Sequence, residues 1–212
     1  MPGHGHQDCG AFELHHAGRP VFVDPGRGTY GETGDAAFYR SARVHNTLIV
    51  DSQDPFPPNK PYFDDVFRRR ISGPPPELSR TDGGVRLVHR GFSRLGSVGA
   101  VRREWSFDEN SMAVTDQIEG SGTRMVERIL CTTLEVTPDG DALILKDGDV
   151  CFSLRFDDGA IAQLENGVRW TAYGEGQPAT FIRVAAPERL PFQGRFCLTM
   201  AKNGASSGPH IS

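Results

Sequence analysis

The chain has 212 residues, 37% of them hydrophobic and 24% charged, so it has enough apolar content to build a core and is not a disordered polyampholyte. A formal net charge of −4 argues against a nucleic-acid groove, which calls for a basic domain, but leaves room for a local basic groove that binds an acidic polysaccharide. No apolar run reaches the roughly 20 residues needed to span a bilayer, and Met1-Pro2 leads into Gly-His-Gly-His without a signal-peptide pattern.

Gly3 to Asp51 holds five of the seven histidines, His4, His6, His15, His16 and His45. In an extended backbone the alternation His4, His6, Asp8 projects three polar side chains to one face. Ala11 to His15 and Arg19 to Asp24 read as a hairpin closed at His16-Ala17-Gly18, and Asp24-Pro25-Gly26 ends its second strand. A glycine-rich loop from Arg27 to Ala36 carries Tyr30, and Thr47 to Val50 is a short apolar strand entered from His45-Asn46. Asp54 to Tyr62 is a proline-rich loop.

Beyond it the pattern is of short strands. These are Val66 to Ile71, Val85 to Arg90, Val101 to Phe107, Met112 to Ile118 and Arg124 to Val136, the last as one long strand or a bulged pair. Ser72 to Gly84 reads as a second Pro/Gly loop, and Arg68-Arg69-Arg70 as charged outer strand positions. Ala142 to Lys146 and Val150 to Phe156 form a hairpin, and Asn166-Gly167 is the turn signal of another, between Ile161 to Leu164 and Val168 to Tyr173. Phe181 to Ala185 and Phe196 to Ala201 complete the sheet. The expected fold is all-β, an antiparallel β-sandwich of about a dozen strands with little or no helix, over residues 1–201, with 202–212 as a polar tail. Cys9, Cys131, Cys151 and Cys197 form no CxxC pair and are expected as buried free thiols.

The imidazoles of His4, His6 and His45 with the Asp24 carboxylate are the residue types that hold zinc, two His and one Asp leaving a fourth position open. Spacing alone does not bring them together, and an exposed Gly-His-Gly-His loop with a turn-capping Asp24 is the alternative. Asn46 reads as a partner for backbone groups at the strand entry, and Trp105 and Trp170 as packing residues.

Three segments, GHGHQDCGAFEL, GRPVFVDPGRGTY and FYRSARVHNTLIVD, together resemble the heparinase II/III-like β-sandwich domain of polysaccharide lyases. The likeness extends more weakly through VRREWSFDENSMAVTDQIEG, and the last third shows only generic sheet. The resemblance implies zinc held by His6, Asp24 and His45, with His4 and Tyr30 as catalytic residues and Tyr39 a weaker candidate. It implies β-elimination at a uronic acid. Its carboxylate is neutralised, the C5 proton is abstracted, and the oxygen leaving C4 is protonated. Gly10-Ala11 after Cys9 departs from the family's usual Leu-Ser and raises the question of a thiol near the metal.

Family members also carry an α/α-toroid domain before the sandwich, absent from these 212 residues, so the chain reads as a fragment that folds and binds zinc but is inactive alone. The implied partners are an acidic polysaccharide of heparin, heparan sulfate or alginate type and the toroid domain. A homodimer is a further candidate, nucleic acid and membrane are not, and the implied compartment is periplasmic or extracellular. A non-catalytic zinc-stabilised carbohydrate-binding or structural module is the main alternative. A cupin-type metalloenzyme fits the ligand spacing poorly.

Overall fold

The computed structural model describes residues 5–58, 73–157 and 159–201. Among these are fourteen strands, all paired antiparallel, and one short α-helix, α1 (Gly34–Phe38). The eight-stranded sheet has the order β4 (Glu77–Thr81), β5 (Gly84–His89), β6 (Val98–Asp108), β7 (Ser111–Gly120), β14 (Phe192–Met200), β11 (Val150–Phe156), β10 (Ala142–Asp147), β9 (Glu135–Asp139). The four-stranded sheet runs β12 (Gln163–Ala172), β13 (Glu175–Arg189), β8 (Thr123–Thr132), β3 (Leu48–Val50). β1 (Leu14–His16) and β2 (Arg19–Phe22) form a separate hairpin.

The sandwich follows from alternation. Trp105 and Val114 on the large sheet, and Leu130 and Ile182 on the small one, meet in one buried cluster with Phe22, Leu154 and Phe196. Side chains pointing inward every second residue from two facing sheets leave this apolar layer between them. A second cluster, with Leu48, Phe92, Val101, Ile118 and Phe192, fills one end.

Three expectations change. Asn166-Gly167 is not a turn: β12 runs straight through it, with Asn166 opposite Thr180 and Gly167 opposite Ala179, and the chain reverses later, at Tyr173-Gly174. Gly167 is there for space, since a Cβ would stand 2.2 Å from the Phe181 ring. The Pro/Gly loop from Ser72 contains β4, an exposed edge strand without hydrophobic alternation that is held by its backbone ladder to β5. Arg124 to Val136 is two strands in two sheets, β8 in the small sheet and β9 at the edge of the large one. The strand expected at Val66 to Ile71, the Arg68 to Arg70 run and the 202–212 tail lie outside the described residues. No helix among the described residues is long and apolar enough to cross a membrane.

Candidate metal centre

Three loops meet at one rim, each fixed by backbone groups. The first, carrying His6 and Asp8, is tied by Gln7 N–H donating to the Arg40 carbonyl (2.7 Å) and by a turn in which Ala11 N–H donates to the Asp8 carbonyl (2.8 Å). Gly10 makes that turn at φ +82°, a conformation that side chains disfavour. Thr47 Oγ1 donates to the Cys9 carbonyl (2.8 Å), and Arg103 Nη1 to the Gly10 carbonyl (3.0 Å).

The second loop begins where β2 ends. Asp24 Oδ1 accepts Gly26 N–H (2.7 Å), the side-chain turn expected of Asp-Pro-Gly. The loop then lies on β12: Trp170 N–H donates to the Pro25 carbonyl (2.7 Å) and Gly174 N–H to the Gly28 carbonyl (2.9 Å). Close approach explains both glycines, because a Cβ on Gly26 would stand 2.5 Å from the Trp170 carbonyl oxygen and one on Gly28 2.4 Å from the Trp170 ring.

The third loop is the 3-10 turn Ala42–Val44, whose entrance is fastened by Asp54 Oδ1 accepting from both Ser41 Oγ and Ala42 N–H at 2.8 Å. It delivers His45 fully buried, with Nδ1 2.8 Å from the Ser41 carbonyl. A carbonyl only accepts, so the proton sits on Nδ1 and the Nε2 lone pair faces the rim. Asn46 follows, its Nδ2 donating to the Phe12 and Val23 carbonyls (2.7 and 2.9 Å) and its Oδ1 accepting Cys131 N–H (2.6 Å), which ties three segments behind the site.

At the rim His6 Nδ1 lies 3.0 Å from His45 Nε2, and that same Nε2 lies 3.5 Å from Asp24 Oδ2. One donor atom from each of His6, Asp8, Asp24 and His45 falls within 4.8 Å of all the others. Zinc bonds of about 2.0–2.1 Å in a tetrahedron separate ligand atoms by about 3.3 Å, a value bracketed by the 3.0 and 3.5 Å that separate His45 Nε2 from His6 and Asp24. Burial and the adjacent His45 ring lower the His6 pKa below its usual value, with Asp24 and Asp8 opposing, which favours the neutral, ligating imidazole.

Of the residues singled out from sequence, His6, Asp24 and His45 are brought together and His4 lies outside the described residues. Tyr30 is 59% exposed and stacks on Tyr173 (ring centroids 5.9 Å apart). Arg27 links it to the cluster, its guanidinium 5.0 Å from the Tyr30 ring centre and its charge acting on His6. Tyr39 is buried, its hydroxyl accepting Val168 N–H (3.2 Å), in a packing role. Cys9 packs against the core and burial pushes its thiol pKa up to about 11, so it is protonated at neutral pH and outside the donor cluster. All four cysteines are free as expected, but only Cys131 is fully buried, and Cys9, Cys151 and Cys197 are partly exposed. Two features were not singled out: Asp8 as a member of the cluster, though its alternation with His6 was visible, and Trp170 as the seat of the Asp24 loop. Beside His6 and Asp8 opens a cleft of about 280 Å³, lined also by Phe56 and Pro74 to Pro76.

The family model described as heparinase II/III-like, C-terminal, matches residues 1–209. The chain belongs to this family. Its fold matches solved heparinases: a heparinase III gene product (TM-score 0.71, 17% identity, 95% of this chain and 31% of that one) and heparan sulfate lyase HepC from Pedobacter heparinus (TM-score 0.71, 16% identity, 92% and 30%). Another heparinase III structure gives a TM-score of 0.70 at 17% identity, over 92% of this chain and 29% of that one. At such identities the likeness is one of fold, and this chain spans about a third of the length of those enzymes. No curated protein matches the sequence.

Proposed function

We propose that residues 1–201 are the C-terminal β-sandwich of a polysaccharide lyase that cleaves a uronic-acid-containing polysaccharide by β-elimination. The observation that carries this reading is the convergence of His6, Asp24 and His45 from three separate loops, in a chain of the heparinase II/III-like family. These residues would hold zinc. Bound there, zinc would fasten the loops at the cleft rim and supply no reaction step.

The chemistry then falls to side chains. A base removes the C5 proton, its electron pair becomes the C4–C5 double bond, and the C4–oxygen bond breaks as an acid protonates the leaving oxygen. His4 and Tyr30 are the residues of this chain suited to those transfers. Arg27 lies over the Tyr30 ring and places a positive charge beside that phenol. The solved relatives described as heparinase III and heparan sulfate lyase favour a heparin- or heparan-sulfate-type substrate, with alginate second. An upstream domain would supply the other wall of the cleft, so this chain alone is expected to be inactive.

The test is formation of unsaturated uronate, followed by absorbance, on heparan sulfate, alginate and hyaluronan. The 212-residue chain and the protein joined to its upstream domain are assayed side by side. Product from the longer protein only is expected, and loss of it in Tyr30→Phe and His4→Ala. Binding of glycan by the longer protein without cleavage would instead make the chain part of a non-catalytic module.

A further inference from the structure

The geometry points to Asp8 as a fourth protein ligand that closes the coordination sphere left open by His6, Asp24 and His45. The inference rests on the reading that this site takes zinc. A three-ligand zinc site keeps a water in its fourth position and suits catalysis, whereas four protein ligands leave no such position and make the ion structural. The Asp8 carboxylate is in the same mutual 4.8 Å as the other three donors.

Its approach is built into the backbone. Gln7 is anchored to Arg40 on one side, and on the other Cys9 and Gly10 are held by Thr47 and Arg103. Asp8 is thus the one residue between two clamps, and its own carbonyl closes the Asp8–Ala11 turn. Two of the clamping groups, Arg40 and Thr47, belong to the segment that delivers His45. The elements that position one ligand therefore also position the other. Charge fits as well: two carboxylates and two neutral imidazoles neutralise a divalent cation. With the sphere closed, no metal-bound hydroxide is available, and proton transfer stays with side chains such as Tyr30.

The test uses the 212-residue chain with zinc, and with cobalt as a spectroscopic replacement. Asp8→Ala should bind zinc about 10-fold or more weakly in competition with a chromophoric chelator. Its cobalt form should show shifted visible bands, because water replaces a carboxylate in a sphere that stays four-coordinate, and should gain azide binding that the wild type lacks. Asp8→Cys is an independent arm, since it should bring a thiolate-to-cobalt charge-transfer band that the wild type, with Cys9 next door, does not show. Unchanged zinc affinity and cobalt spectrum in Asp8→Ala, with no new band in Asp8→Cys, would overturn the assignment while leaving a three-ligand zinc site intact. A wild-type chain that takes up neither ion would instead remove the zinc reading itself, and this inference with it.

Discussion

Arg103 on β6 faces Asp116 on β7 in a fully buried ion pair with two parallel hydrogen bonds, Nε to Oδ1 at 2.6 Å and Nη2 to Oδ2 at 2.8 Å. Its remaining nitrogen, Nη1, donates to the Gly10 and Asn46 carbonyls at 3.0 and 2.9 Å. One guanidinium thus ties the sheet to the loop of His6 and Asp8 and to the residue after His45. A buried charge is tolerated only when its donors are used, and here one side chain meets a carboxylate and two carbonyls.

Removing one member should cost far more than removing both. Asp116→Ala leaves a buried guanidinium uncompensated and is expected to lose about 3–5 kcal/mol of stability by urea denaturation. Arg103→Met with Asp116→Leu should recover much of that. The double variant still lacks the donor for Gly10 and Asn46, so its zinc affinity should remain below wild type. Wild-type affinity in the double variant would show that Arg103 only fills the core.

The Asp24 loop depends on Gly28 lying flat against Trp170. Gly28→Ala puts a methyl group into the indole and should destabilise by about 1–3 kcal/mol, the usual range for overpacking. Trp170 must shift, so its fluorescence should change, and the displaced loop should carry Asp24 away from His45. Combining Gly28→Ala with Trp170→Leu should restore part of the stability. A double variant no better than the sum of its parts would refute the contact as the cause.

Much of this was legible in the sequence because strands announce themselves by alternation and turns by their chemistry. The hairpin at Asp147-Gly148 and the turn at Asp24-Pro25-Gly26 are local, and they form as the sequence reads. Asn166-Gly167 failed because the same dipeptide serves another need: its glycine makes room for Phe181, a residue fourteen positions away in sequence and adjacent only across the sheet. β8 and β9 merged on paper since nothing in Arg124 to Val136 says that the chain changes sheets. Three of the four donors, His6, Asp24 and His45, were nameable from residue type and family likeness, and Asp8 was not. Their convergence was not legible, since it depends on long-range groups such as Asn46, which joins Phe12, Val23 and Cys131.

His89 offers a pH test apart from the metal centre. It is buried between the Phe56 and Phe92 rings, with Nδ1 accepting Gly91 N–H (3.2 Å), and burial, helped by the Arg103 charge, lowers its pKa from 6.5 to about 4. A folded-state pKa below the unfolded value means that the unfolded chain binds the proton first. Stability should therefore fall as pH drops from about 6.5 and level off below about 4, by about 3 kcal/mol in all. His89→Asn keeps an acceptor for Gly91 but does not titrate in this range. The difference between the two proteins' unfolding free energies should shrink from pH 7 to pH 4, because only the wild type loses this contribution. A constant difference would mean that His89 titrates alike in the folded and unfolded chains and is not buried as described.

Metal removal separates a loop-fastening ion from an incidental one. A ligand that binds only the folded state stabilises it by about 2.7 kcal/mol at 100 times its Kd, which for a chain of this size is a rise in Tm of about 5–10 °C. Chelation should reverse the rise, and re-added zinc should restore it. The gain should be specific in place: protease should cut the metal-free protein faster in the Asp24 to Tyr30 and Ser41 to Asn46 loops, with the β6–β7 ladder unaffected. His6→Ala should melt near the chelated wild type and respond little to zinc, since it removes a ligand without touching the Arg103 or Trp170 contacts that hold the loops from behind. If His6→Ala and wild type gain equally from zinc, the ion is binding elsewhere, and the three-loop rim is held by hydrogen bonds alone.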